Sequence, residues 1–140
     1  MMYHKALLFG DQDIADKISN EKTRPLVCKK LGRQVKNFDA QMWNDNSRRI
    51  VREGVYLKFT QNQYLKRELL ATNDLILVEA SPRDRIWGIG YGASRALTVP
   101  RTSWGKNQLG KVLMKVRERI RNEEAEKKRE YLEQLEKLKK

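Results

Sequence analysis

The sequence predicts a mainly helical α+β domain, and three observations lead there. Apolar residues recur at helical spacing over most of the chain. One run, Leu75-Ile76-Leu77-Val78-Glu79-Ala80, favours extended backbone and reads as a buried strand. Between Ser81 and Asn107 the periodicity stops, with glycine at 88, 90, 92 and 105 and proline at 82 and 100. At 140 residues the chain is long enough to bury a core without disulfide or metal support.

Taken in order, Met1 to Phe9 is apolar and has no capping residue before it, so it reads as the end of a helix closed by Gly10. Asp11 or Asp13 can cap a short helix running through Ser19. Thr23-Arg24-Pro25 offers a threonine cap and a first-turn proline for a helix that Gly32 ends. Asp39 can cap a longer helix with Met42, Trp43, Ile50, Val51, Val55 and Phe59 roughly on one face. Gln63 to Ala71 is another amphipathic helix, and the strand follows. After the irregular stretch, Leu109, Leu113, Val116 and Ile120 repeat at 4-3-4 spacing, a core-facing helical stripe. Residues 122–140 alternate Glu with Lys or Arg and form a charged helical tail, leaving 1–121 as the globular domain.

The net charge is +12. Residues 115–140 carry ten Lys or Arg against seven Asp or Glu, while residues 1–114 carry twenty against eleven. The excess therefore sits mostly in the globular part, which suits a polyanionic partner such as nucleic acid or a diphosphate-bearing ligand. Plain solubility is the competing explanation. Cys28 is the only cysteine, which excludes a disulfide framework and a cysteine zinc cluster and suits a cytoplasmic setting. No apolar run approaches the length of a membrane span, so a soluble protein without a membrane partner is expected.

The irregular stretch carries the chemistry. Ser81-Pro82-Arg83-Asp84-Arg85-Ile86-Trp87-Gly88-Ile89-Gly90 is answered by Trp104-Gly105-Lys106-Asn107-Gln108-Leu109-Gly110. Each part sets an aromatic plane beside glycines and a polar side chain, like two walls of a pocket for a flat, polar ligand. A nucleotide or a ribosylated base would fit between them.

Met1-Met2-Tyr3-His4-Lys5-Ala6, Leu31-Gly32-Arg33, Lys58-Phe59, Leu69-Leu70-Ala71-Thr72, Leu77-Val78-Glu79-Ala80-Ser81, Asp84-Arg85-Ile86-Trp87-Gly88 and Gly105-Lys106-Asn107-Gln108-Leu109-Gly110 occur in that order. Together they resemble the NADAR family, also called YbiA-like proteins, from Met1 to about Arg119. The resemblance implies an N-glycosidase with a compact α+β fold, a few short strands, and no metal or organic cofactor. Breaking a C1–N bond puts positive charge on the ribose, which calls for a carboxylate to stabilise it or orient water, or for an amine of lowered pKa that attacks C1 and holds the opened sugar as an imine. It implies a small-molecule substrate, either ADP-ribose on guanine (free or on nucleic acid) or a ribosylamino intermediate of riboflavin synthesis.

The resemblance also suggests roles. Asp84 matches the family's functional aspartate, and Lys5 matches a pocket-facing lysine and is the candidate amine. Trp87 is the stacking residue, with Gly88 beside it. Gly105 and Asn107 match the closing pocket element, Trp43 a further aromatic, and Arg33 can meet phosphate. Each has a plainer alternative: a loop aspartate bonding its own backbone, a core tryptophan, a surface lysine. In the family a glutamate-bearing stretch precedes the segment that resembles Met1-Met2-Tyr3, so an N-terminally shortened domain is expected here. Two further readings stay open: a non-catalytic remnant that binds ADP-ribose or nucleotide, and a basic helical module that binds nucleic acid.

Overall fold

Local capping chemistry sets most of the helix boundaries. Helix α1, Met2–Leu8, closes with Gly10 at φ +70°. There the Gly10 N–H donates to Leu7 O and the Asp11 N–H to Ala6 O, a left-handed turn that glycine adopts without steric cost. Asp11 then caps α2, Gln12–Ser19, by accepting from the Ile14 N–H. Its second oxygen accepts from the Lys36 N–H at 2.9 Å, so one carboxylate pins both a helix start and a distant loop.

Helix α3, Pro25–Gly32, starts with Pro25 in its first turn, as expected, but Arg24 rather than Thr23 is its N-cap. The Thr23 hydroxyl instead donates back to Lys17 O near the end of α2. Helix α4, Ala40–Thr60, is capped by Asp39, which accepts from the Met42 N–H at 2.7 Å. Helix α5, Gln63–Ala71, is capped by Asn62. A single turn, α6 (Ala93–Ala96), and a 3₁₀ turn at Arg101–Ser103 break up the irregular stretch. The last helix, α7, runs unbroken from Gln108 to Leu138, about 46 Å long.

This computed structural model describes residues 1–20 and 22–140, and the chain divides into two compact units, Met1–Gly54 and Val55–Lys140. In the first, α1, α2 and α3 pack on one another around Ala6, Phe9, Ile14, Ala15 and Val35, with Tyr3, Leu31 and Trp43 half-buried against them. In the second, α5 packs on α7, and Leu69, Ile89, Val112, Val116 and Ile120 are buried. Each large apolar side chain removed from water contributes about 1.5–3 kcal/mol. The α7 stripe is rotated slightly from its expected line: Val112, Val116 and Ile120 are buried, whereas Leu109 and Leu113 are only half-buried.

The α+β expectation is overturned, since the described residues are helix, turn and coil with no strand among them. Leu75 to Ala80 is coil that joins no strand ladder, with Glu79 O accepting a single bond from the Ile89 N–H, and Leu75 and Ile76 are 68% and 52% exposed. The physical reason lies in where its backbone hydrogen bonds go. Leu75 O accepts from Arg117, Leu77 O from the Asn107 amide, and Glu79 N–H donates to Asn107 Oδ1. Side chains of Asn107 and α7 thus satisfy groups that a neighbouring strand would otherwise meet.

No helix among the described residues is long and apolar enough to cross a membrane.

Candidate functional site

The Asp84–Gly88 turn is held from within. Asp84 Oδ1 accepts from the Ile86 N–H at 2.9 Å and the Trp87 N–H at 2.8 Å. Partial burial alone would raise its pKa, but the N–H groups of Trp87, Ile86 and Gly88 outweigh that and hold the carboxyl below the usual 3.8. Asp84 is therefore ionised at neutral pH.

The turn is then clamped onto the start of α7. The N–H groups of Gly105, Lys106, Asn107, Gln108 and Leu109 donate to the carbonyls of Ile89, Arg85, Gly88, Ile86 and Trp87, at 2.7–3.1 Å. Free donors at a helix N-terminus are a common anion site. Here the Gln108 and Leu109 donors are spent on the turn, so this helix end works as a socket for the loop. Trp87 gains from it: its backbone N–H and C=O are both fixed, and its half-buried ring stands on a backbone with little freedom to move.

Two glycines make the clamp possible. A Cβ on Gly105 would lie 2.4 Å from the Arg85 carbonyl oxygen, and one on Gly88 would lie 2.8 Å from Asp84 O. Both neighbours are backbone atoms that cannot swing aside. Asn107 is buried, left-handed at φ +52°, and bonded through its amide to Leu77 O at 2.9 Å and the Glu79 N–H at 3.0 Å. Of the residues expected at a pocket, Asp84, Trp87, Gly88, Gly105 and Asn107 therefore come together in the second unit. Gly88, Gly105 and Asn107 hold the architecture there.

Lys5, Arg33 and Trp43 gather in the first unit. Lys5 Nζ donates to Gly32 O at 2.7 Å and lies 4.7 Å from the Phe38 ring centroid and 5.4 Å from that of Trp43. Burial first, and the charge of Arg33 second, lower its pKa from the usual lysine value. An ammonium over two ring faces is stabilised; an amine made easier to deprotonate is a better nucleophile. Arg33 is exposed, while Trp43 also packs on the core of its unit. A separate apolar cavity of about 620 Å³ in this unit, lined by Met1, Met2, Tyr3, Ile18, Pro25 and Cys28 among others, contains none of the expected site residues.

Sequence reasoning missed Tyr91 and Ser103, which lie against Arg85 in the second unit: its guanidinium is 5.9 Å from the Tyr91 ring centroid and donates to Ser103 O at 2.8 Å. It also missed Arg117, a buried guanidinium bonded to Thr72 Oγ1 and Leu75 O. A signal for the first group was available: cations crowd a stretch almost free of carboxylates. Nothing in the pattern distinguishes Arg117 from its solvated neighbours on α7.

The NADAR domain family model matches residues 1–121. The chain is 51% identical over 119 residues to N-glycosidase R617 of Acanthamoeba polyphaga mimivirus, covering 84% of this chain and 69% of that protein. It is 41% identical over 122 residues to Protein irg-1 of Caenorhabditis elegans, covering 85% of this chain and 57% of that protein. To N-glycosidase YbiA of Escherichia coli it is 30% identical over 118 residues, covering 84% of this chain and 67% of that protein. The Asp84-Arg85-Ile86-Trp87-Gly88 turn lies within the matched region. This chain belongs to the NADAR family.

Proposed function

We propose that the chain hydrolyses the bond between C1 of a ribose and a base-like nitrogen in a nucleotide-derived substrate. The two substrate classes that suit it are an ADP-ribosyl group on guanine, free or on nucleic acid, and a ribosylamino pyrimidine phosphate. The observation that supports this reading best is the Asp84 turn: an ionised carboxylate three residues from an aromatic ring, on backbone clamped by five hydrogen bonds.

Departure of the nitrogen leaves positive charge shared between C1 and the ring oxygen of the ribose. An anion already in place lowers the energy of that charge without reorganising when it forms. Because the Asp84 carboxyl titrates below its usual range, its role in this reading is to stabilise the cation or orient water, and it is not a proton donor at neutral pH. The oxygen of water bonds to C1, and a proton from water goes to the leaving nitrogen. The Trp87 ring stacks on the base or the adenine, an interaction worth about 1–3 kcal/mol where bases meet aromatic side chains. Lys5 offers a second route, in which its amine bonds to C1 as the nitrogen leaves and water later frees the sugar.

The test is direct. The purified chain is incubated with ADP-ribosylated guanosine and, separately, with a ribosylamino pyrimidine phosphate, and the products are followed by mass spectrometry. Release of free base with ADP-ribose or ribose phosphate supports the reading, and its loss in Asp84→Asn supports the assigned role. A folded chain that binds both compounds and cleaves neither would be the non-catalytic binder. Borohydride reduction during turnover reports on the second route, by leaving or not leaving a sugar adduct on Lys5.

A further inference from the structure

The hydrogen bonds of Leu75 to Ala80 follow a period of two. Leu75 O accepts from Arg117, Leu77 O from the Asn107 amide, and Glu79 both donates to Asn107 Oδ1 and accepts from the Ile89 N–H. One amide bridging the C=O of Leu77 and the N–H of Glu79 stands where a residue of a neighbouring parallel strand would stand. The residues in the other alternation, Ile76, Val78 and Ala80, have N–H and C=O groups with no protein partner among the described residues. Alternate residues of such a run present their backbone groups to opposite edges, so these three line one open edge. Ile76 is exposed there, and Val78 and Ala80 are half-buried. Pro82, next in the alternation, has no N–H, and the series of donors stops at Ala80.

Both ends of this edge are cationic. At its start Arg121 meets Asp74 and Asn73 O, while the buried Arg117 is bonded to Thr72 Oγ1 and Leu75 O, neither of them a carboxylate. Just past its end Arg83 is exposed and, among the described residues, forms no ion pair. The flanking carboxylates are engaged, Asp74 with Arg121 and Asp84 with the N–H groups of Ile86 and Trp87. Glu79, the one carboxylate of the run, belongs to the alternation that faces α7. At a net charge of +12, two copies of the chain repel each other, whereas an acidic partner is drawn in.

We propose that Ile76, Val78 and Ala80 are a docking edge on which an acidic, extended segment of a partner protein adds as a strand. Main-chain hydrogen bonds to these three residues hold the segment. Its apolar side chains lie beside Ile76 and Val78 as cross-strand neighbours, and its carboxylates meet Arg83 and Arg121. The edge is independent of the N-riboside chemistry, since it uses none of Asp84, Trp87 and Lys5.

The probe is a synthetic peptide in which valine alternates with glutamate, compared with the same peptide carrying lysine for glutamate. Amide hydrogen exchange is followed residue by residue by NMR on the isotopically labelled full chain. Saturating glutamate peptide is expected to slow exchange at Ile76, Val78 and Ala80 by about tenfold or more, and to leave Glu79, already bonded to Asn107, unchanged. The lysine peptide is expected to bind about tenfold more weakly at low salt, a gap that narrows as salt is raised. A glutamate peptide methylated on its backbone nitrogens cannot donate to the edge and should give no protection. Arg83→Glu, at an exposed position, should keep the wild-type melting temperature and weaken binding of the glutamate peptide.

Unchanged exchange at all three amides with the glutamate peptide, or equal protection by the lysine or the methylated peptide, would overturn the acidic strand. Unchanged affinity in a folded Arg83→Glu variant, with no salt dependence, would do the same. Protection that appears without peptide also overturns it. If that protection grows with protein concentration, the edge pairs with a second copy; if it does not, the chain covers the edge itself.

Discussion

Asn107→Ala tests whether this side chain is a structural strut or a ligand contact. The amide makes two hydrogen bonds to backbone, to Leu77 O at 2.9 Å and from the Glu79 N–H at 3.0 Å, and the residue is buried at φ +52°. Each bond contributes about 0.5–1.5 kcal/mol net, and stranding a buried partner costs about 1–3 kcal/mol instead. Alanine in the left-handed region adds about 1 kcal/mol more. Two stranded partners in the lower half of that range, with the backbone strain, give a loss of about 3–5 kcal/mol, at the upper end for single substitutions. For a protein of this length that lowers the melting temperature by roughly 10–20 °C. Asn107→Gly loses the same bonds without the backbone strain and should be about 1 kcal/mol less damaged. Thermal melts followed by circular dichroism report both variants. If Asn107→Ala melts within about 2 °C of wild type while ligand affinity collapses, the strut argument is wrong and the amide serves the ligand.

Asp84→Asn keeps an oxygen that accepts from Ile86 and Trp87, so the turn should survive while the charge is lost; cleavage should fall about 10²–10³-fold, as for removal of one preorganised stabiliser, with a modest change in melting temperature. Gly105→Ala drives a methyl to within 2.4 Å of Arg85 O, so it should break the clamp and lower the urea midpoint more than alanine at Gly54, where a Cβ meets nothing within 4 Å. Lys5, with its pKa lowered by burial and by Arg33, should react ahead of the exposed lysines under limiting acylating reagent at mildly alkaline pH, read by peptide mass spectrometry. Asp11 is held below the usual 3.8 by the N–H groups of Lys36 and Ile14, so its contribution to stability is full above that value and lost as pH falls through its lower native pKa; Asp11→Asn should flatten the acid limb of the stability curve.

Much of this fold is written locally. Gly10, Asp11, Asp39 and the span Gln63–Ala71 stand where capping and periodicity place them, because each depends on residues three or four positions away. The Asp84-Arg85-Ile86-Trp87-Gly88 motif and the NADAR family are likewise visible in the linear order of residues. The errors arise where a residue's partner is distant in sequence. Thr23 was expected to cap the helix ahead of it, yet its hydroxyl reaches back to Lys17 O.

Leu75 to Ala80 has the composition of a strand, but strand pairing requires a second strand, and composition cannot say whether one is there. Asn107, thirty residues on from Leu77, and Arg117, on the helix beyond it, supply the bonds instead. The sequence by itself therefore determined the main helices, the caps at Asp11 and Asp39, the family and the carboxylate–tryptophan motif. Only the tertiary structure decided that Leu75 to Ala80 joins no strand, that Asn107 and the glycines clamp the loop, and that Arg85 reaches across to Tyr91 and Ser103. Those features depend on contacts across long stretches of chain, which no local pattern of residues encodes.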